Sequence, residues 1–186
     1  MKLNLQKDSQ KVRKYIERRI KDYPHYVNVG PGDDDDPIGL ITLGYYAEQG
    51  GYVALVFDTR PDAEVDGQWT VHLDDSTMLK LPNWCEFYEQ ACEGKQVVFV
   101  SHDGTKKVLQ FRIEDEDELV DDKSLEQLNA VFGEMLTRLM HDLRDDGTLA
   151  KLPLAKSAFM VVEEFDGNFF WPTFKSRKTK GRILHK

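Results

Sequence analysis

Four polar and aromatic residues could together form a ligand site. Asp58 and Arg60 follow the apolar segment Tyr52–Phe57, and Trp69 and Trp84 come later in the chain. An acid held in an apolar pocket has a pKa different from that of an exposed acid, which is the usual basis of acid–base catalysis by carboxylates. These four residues would form a small-molecule-binding site or a hydrolase site, which is the alternative function for this chain. The commoner outcome for a loop aspartate is that it bonds to backbone groups of its own turn, and this applies to Asp58.

Four consecutive aspartates, Asp33 to Asp36, lie in a loop between Pro31 and Pro37. Carboxylate oxygens are the ligands that Ca²⁺ and Mg²⁺ prefer. A calcium-binding loop, however, alternates its ligands and closes with a distant Glu, whereas an apolar segment follows Pro37 here. We therefore predict no metal at this loop and interpret it as acidic surface.

A second acidic group has seven acids among residues 114–122. Such a block is typically solvated, and it is the strongest local candidate for docking a basic partner. The residues that we predict to bind a partner, in the two acidic groups together, are Asp33, Asp34, Asp35, Asp36, Glu114, Asp115, Glu116, Asp117 and Glu118.

Motifs of the common enzyme classes are missing from the sequence. There is no glycine-rich phosphate loop, no Gly-x-Ser-x-Gly segment and no pair of histidines four residues apart. Cys85 and Cys92 would lie about 10.5 Å apart along one helix, and a disulfide needs Cα atoms within about 7 Å. The sequence therefore predicts no catalytic residue, no metal and no cofactor, and favours a binding protein over an enzyme.

Charge is distributed unevenly along the 186 residues, whose net charge is −8. Residues 1–21 and residues 175–186 each carry +6, so the body between them carries −20. A body of this charge repels nucleic acid and membrane surfaces and attracts a basic protein, which is the partner that we predict. The alternative is that the acids only keep the protein soluble. Two cysteines without an export signal favour a cytoplasmic location.

Hydrophobic patterns predict an α+β fold. Strands are expected at Ile38–Glu48, Tyr52–Asp58, Gln68–Leu73, Gln96–Ser101, Val108–Ile113, Ser157–Phe165 and Asn168–Phe174. Gly50-Gly51, Asp103-Gly104 and Asp166-Gly167 are turn signals that predict three hairpins. Together the strands predict a single, mainly antiparallel sheet of about six to seven strands packed against two or three helices. Residues 1–174 are expected to form one domain, followed by a basic tail at 175–186.

Three amphipathic segments predict the helices. The first begins at Asp8 or Ser9 and ends near Tyr23, with Lys and Arg on its outer face. The second covers about Asn83–Glu93, and the longest begins with Ser124 as its cap and ends near Asp145.

Several short motifs occur in a familiar order. They are Tyr45-Tyr46, Val56-Phe57-Asp58-Thr59-Arg60, Asp66-Gly67-Gln68-Trp69-Thr70, Leu81-Pro82-Asn83-Trp84 and Glu163-Glu164-Phe165-Asp166-Gly167. In this order the chain resembles small bacterial domains of unknown function, some of which occur among the immunity proteins of toxin systems. The resemblance covers roughly residues 8–174. It implies a cytoplasmic domain that binds and neutralises a partner protein, and it transfers no catalytic residue.

The function expected from the sequence is therefore a non-catalytic protein-binding domain, immunity-like, that binds a basic partner through its acidic surface. The alternative is the small-molecule-binding protein or hydrolase built around Asp58, Arg60, Trp69 and Trp84.

Overall fold

The computed structural model describes residues 1–25, 28–29, 36–47, 51–59, 77–101, 103–109, 122–165 and 170–172, and for residues 28–29, 122–125 and 170–172 it describes the backbone. In chain order the elements are β1 (Lys2–Asn4), α1 (Leu5–Asp22), β2 (Asn28–Val29), β3 (Ile38–Tyr46), β4 (Tyr52–Asp58), β5 (Leu79–Lys80), α2 (Pro82–Cys92), β6 (Val97–Val100), β7 (Lys106–Leu109), α3 (Asp122–Asp145), a short 3-10 helix (Leu149–Lys151), β8 (Leu154–Glu164) and β9 (Phe170–Pro172). No helix in these parts of the chain is long and apolar enough to cross a membrane.

The larger sheet has β3 and β4 at its centre. The order of its strands is β2-β4-β3-β8-β9, with β5 also paired to β4. β3 runs antiparallel to β4 and parallel to β8, while β9 runs antiparallel to β8. Every residue from Ile38 to Tyr45 is buried, which fits a strand that has neighbours on both sides.

The smaller sheet consists of β1, β6 and β7 in that order. β1 runs parallel to β6, and β6 runs antiparallel to β7. The prediction of an α+β fold with two or three helices is thus confirmed, but the prediction of one mainly antiparallel sheet is wrong. The described strands form two mixed sheets, because β1–β6, β2–β4 and β3–β8 are parallel pairs that require long crossovers between distant parts of the chain.

The three predicted hairpins are present as antiparallel pairs, namely β3–β4, β6–β7 and β8–β9. β7 begins two residues before the strand predicted at Val108–Ile113, and residues 110–113 lie outside the described residues. The strand predicted at Gln68–Leu73 lies outside the described residues. The start of α1 differs from the prediction. Asn4 is the N-cap, since its Oδ1 accepts the backbone N–H of Lys7 at 3.1 Å. α3 also begins before the predicted cap, so that Ser124 lies inside the helix.

The helices join the two sheets into one core. The core contains Phe57 of the large sheet, Phe99 of the small sheet and residues of all three helices. At its centre Trp84 of α2 stacks on Phe132 of α3 at 3.7 Å between ring centroids, and Phe132 meets Phe99 edge-on at 5.9 Å. α3 therefore links the two sheets, since it packs on β8 of the large sheet and its Phe132 meets Phe99 of the small sheet.

Candidate functional site

A pocket of about 220 Å³ lies between the β6–β7 hairpin and the middle of α3. The N-terminal end of α1 closes one side of it through Leu5. The small sheet positions the pocket because Phe99 and Lys107 are direct partners across β6 and β7 and project to the same side. That side faces α3.

Apolar side chains form the floor of the pocket and charged side chains form its rim. Leu5, Phe99 and Met135 are buried, and Val131 is half-buried. The exposed rim residues are two acids and two bases, Asp103, Lys107, Glu134 and Arg138. This arrangement is suited to an apolar side chain that enters the pocket while the polar part of its segment meets the charged rim.

Ser101 and Asp103 are the polar pair in this pocket that most resembles a catalytic arrangement. Ser101 Oγ donates to Asp103 Oδ1 at 2.5 Å, and the backbone N–H of Thr105 donates to the same oxygen at 2.9 Å. These hydrogen bonds lower the pKa of Asp103 to about 2, and the bond from Ser101 has the largest effect. A carboxylate with so low a pKa is a poor general base near neutral pH, so the pair serves to hold the turn.

β7 is the outer strand of the small sheet as described. It pairs with β6, and Val108 on its outward side is 59% exposed. Val108 pairs directly with the half-buried Val98 of β6, so the two side chains form a small apolar surface on the outer face of this sheet. A strand at the edge of a sheet offers unpaired backbone groups to an incoming strand, and an exposed Val adds an apolar contact there.

The predicted acidic residues 114–118 belong to the connection between β7 and α3. These residues lie outside the described part of the chain, but both ends of the connection are fixed by elements that line the pocket. The role of these acids as a partner-binding surface stays a prediction.

The Asp-rich loop is described at one of its four residues. Asp36 is half-buried and immediately precedes β3, while Asp33, Asp34 and Asp35 lie outside the described residues. The structure therefore places the end of this loop at the start of the central strand and leaves its role as partner-binding surface a prediction.

The structure does not bring Asp58 and Trp84 together. Asp58 is the cross-strand partner of Leu40, which belongs to a small cluster separate from the main core. Phe57, the preceding residue, points to the main core that contains Trp84. Because side chains alternate along a strand, Asp58 and Trp84 lie on opposite sides of the sheet. The other two members of the predicted ligand site, Arg60 and Trp69, lie outside the described residues.

Trp84 has a different partner, the buried Asp8 of α1. Asp8 is 2% exposed, and it accepts hydrogen bonds from Trp84 Nε1 at 3.2 Å and from Asn83 Nδ2 at 2.9 Å. Lys11 also forms an ion pair with it at 3.0 Å. Asp8, where the sequence predicts the helix to begin, is therefore a polar link between α1 and α2. Leu5, Val12 and Ile16 lie at helical spacing on one face of α1, and Asp8 lies on the same face. This spacing could have indicated that Asp8 points inward.

In the described parts of the chain, no three His, Cys, Asp or Glu side chains approach each other closely enough to hold a metal ion. The described groups of the pocket thus offer charge, an apolar floor and an outer strand, which are means of binding. In comparisons with protein-family models, with curated proteins and with solved structures, the chain matches none of them.

Proposed function

We propose that this protein is a non-catalytic, cytoplasmic protein-binding domain that captures a basic partner segment at the β6–β7 hairpin. The observation that carries the proposal is the exposed Val108 on the outer strand β7, directly before the acidic connection 110–121. The hairpin supplies backbone groups and apolar contact, and Glu114, Asp115, Glu116, Asp117 and Glu118 supply the charge that attracts the partner.

The pocket on the other side of β7 extends this surface. A segment that pairs along β7 would direct alternate side chains toward the Phe99 side and toward the Val108 side of the sheet. An apolar side chain on the first side meets Phe99 and Met135, and a basic side chain meets Asp103 or Glu134. Affinity from backbone pairing and specificity from alternate side chains are typical of strand addition.

A narrower form of the proposal follows from the resemblance to immunity proteins. In that form the partner is a toxin, and binding neutralises it. Protection of cells that express such a toxin, lost on substitution of Val108 and the acids 114–118, would support this form.

The binding proposal is tested with a labelled twelve-residue peptide of alternating Lys and Val, whose binding to the full chain is followed by fluorescence anisotropy in 50 mM salt. A peptide of alternating Glu and Val is the control ligand. We expect the basic peptide to bind more tightly than the acidic one. For Val108→Ser and for the triple variant Glu114→Lys/Glu116→Lys/Glu118→Lys we expect about tenfold weaker binding of the basic peptide, which corresponds to about 1.4 kcal/mol.

The matched control for charge is Glu86→Lys/Glu126→Lys/Asp142→Lys, which changes three exposed acids on the helices. If this variant weakens binding as much as the 114–118 variant does, the attraction is due to net charge and the proposed surface is wrong. Equal binding of the two peptides to the unmodified chain would also contradict it.

A further inference from the structure

The outward face of α1 carries a straight row of basic side chains. Lys7, Lys11, Lys14, Arg18 and Lys21 are all exposed, and they follow one another at alternate spacings of four and three residues. This spacing keeps them on one face of an α-helix, over about 21 Å at 1.5 Å per residue. We refer to these five residues as the basic row.

The charge of the basic row is only partly compensated. Lys11 pairs with Asp8, and Arg18 lies 3.6 Å from Asp22, yet their side chains remain 55% and 76% exposed. Among the described residues, Lys7, Lys14 and Lys21 form no ion pair. These three lysines recur every seven residues and are thus about 10.5 Å apart. Glu17, the acid beside them, is paired with Arg13 at 2.8 Å.

The opposite face of α1 is fully used by the fold. Val12 and Ile16 are completely buried in the core, and Asp8 is bonded to α2. The helix therefore cannot turn an apolar face toward a lipid bilayer, as amphipathic membrane helices do. What it offers outward is a row of cations flanked by polar groups such as the exposed Gln10.

The composition of the basic row favours a linear polyanion over a folded protein partner. Protein interfaces are enriched in aromatic side chains and depleted in lysine. Four of these five residues are lysine, and no aromatic or aliphatic side chain of α1 is exposed. Lysine acts as a point charge toward phosphates, and contacts of this kind supply non-specific binding to nucleic acid.

We propose that the basic row binds the phosphate backbone of a nucleic-acid strand, without reading its sequence. The net charge of −8 repels nucleic acid from the protein as a whole. At about 0.1 M salt, however, charges more than about 10 Å away are largely screened, so the contacts of the row itself decide the local attraction. The surface is distinct from the β6–β7 hairpin, and the two proposals can fail independently.

The test uses a labelled single-stranded DNA of twenty nucleotides and mixed sequence, with the full chain, between 50 and 200 mM salt. Contact with three to five phosphates predicts that affinity falls about 20- to 130-fold over this range. The variant Lys7→Gln/Lys14→Gln/Lys21→Gln is expected to lose at least about tenfold in affinity at 50 mM salt, with a salt slope shallower by about 2. Gln and Lys have similar helix propensities, so α1 should remain folded, which circular dichroism verifies.

The matched control is Lys95→Gln/Lys151→Gln/Lys156→Gln, which removes three exposed lysines that lie outside α1 and outside the β6–β7 hairpin. We expect its affinity for the DNA to change less than twofold. Equal losses for the two variants, or no binding by the unmodified chain at 50 mM salt, would overturn the proposal. Binding of polyglutamate or of vesicles rich in anionic lipid as tight as that of the DNA would also overturn it, because the row would then have another class of partner.

Discussion

Two hairpins of this protein have similar turn signals in the sequence and very different surroundings. The β3–β4 hairpin lies in the centre of the large sheet, and nearly all of its residues are buried. The β6–β7 hairpin lies at the margin, where Lys106, Lys107 and Val108 are exposed. The first hairpin is fixed by neighbours on every side, while the second leaves an outer strand, a pocket and charged side chains accessible. Similar local chemistry therefore supports the core in one place and leaves an accessible surface in the other.

The glycines of the two hairpins give the largest expected difference. Gly51 and Gly104 both have positive φ, at 61° and 81°. A Cβ on Gly51 would overlap the carbonyl oxygen of Leu81 and lie 2.9 Å from Trp84 Cβ, whereas a Cβ on Gly104 meets nothing within 4 Å. Gly51→Ala should therefore cost about 3–5 kcal/mol, from left-handed backbone strain plus overpacking, and Gly104→Ala about 1–2 kcal/mol from strain alone.

Urea denaturation of both variants measures this difference, and each variant serves as the control for the other. Similar losses would mean that the close approach of Gly51 to α2 is not maintained in solution. The two hairpins would then be equally tolerant, and the contrast between them would be lost.

Tyr15 completes the hydrogen bonding of β4. Along its outer edge β4 pairs with β5 at Tyr52 and Val53 and with β2 at Val56 and Phe57. Between these pairs the backbone N–H of Leu55 donates to the hydroxyl of Tyr15 at 3.0 Å, and that hydroxyl donates to the carbonyl of Thr77 at 2.7 Å. Tyr15→Phe removes both of these hydrogen bonds and should cost about 1–3 kcal/mol in the free energy of unfolding.

The pH dependence of stability identifies Tyr15 specifically. Burial raises the pKa of this phenol above its usual value of 10, because the charged form is poorly solvated in the core. The stability linked to Tyr15 is therefore fully present below pH 10 and is lost as the pH rises above it. We expect the unmodified chain to lose stability above pH 10 more steeply than Tyr15→Phe does. Parallel curves of stability against pH for the two proteins would show that the pKa of Tyr15 is the same in the folded and in the unfolded chain.

Sequence patterns predicted the parts of this fold that depend on neighbours along the chain. The hairpins were predictable because Gly50-Gly51 and Asp103-Gly104 favour turns, and the helices because their apolar residues recur at helical spacing. The parallel pairing of β3 with β8 was not predictable, because no local sequence signal joins residues so far apart in the chain. The apolar run Met160-Val161-Val162 could have indicated a strand that is buried on both faces.

The candidate site was less predictable than the fold. The basic face of α1 and the acidic block before α3 are visible in the sequence itself. The pocket is not, because its lining comes from Leu5, the β6–β7 hairpin and α3, which meet only in the folded chain. The role of Asp8 was hard to predict for a related reason. An acid near a helix start resembles a cap, and its donors Asn83 and Trp84 of α2 meet it only in the folded chain.

The smallest effect is expected at Asp103, in the turn of the exposed hairpin. Hydrogen bonds from Ser101 and Thr105 lower its pKa to about 2. The stability that this carboxylate gives to the turn is thus present above pH 4 and is lost as the pH falls from about 4 toward 2. NMR titration of the Asp103 carboxyl should give a midpoint near pH 2, and Ser101→Ala should move it upward toward the ordinary value of about 3.9. The Thr105 amide, which bonds to the same carboxylate, should exchange with solvent faster once Asp103 is protonated. A midpoint near 4 in the unmodified chain would mean that the turn opens freely in solution, and the pocket beside it would then lack a fixed rim.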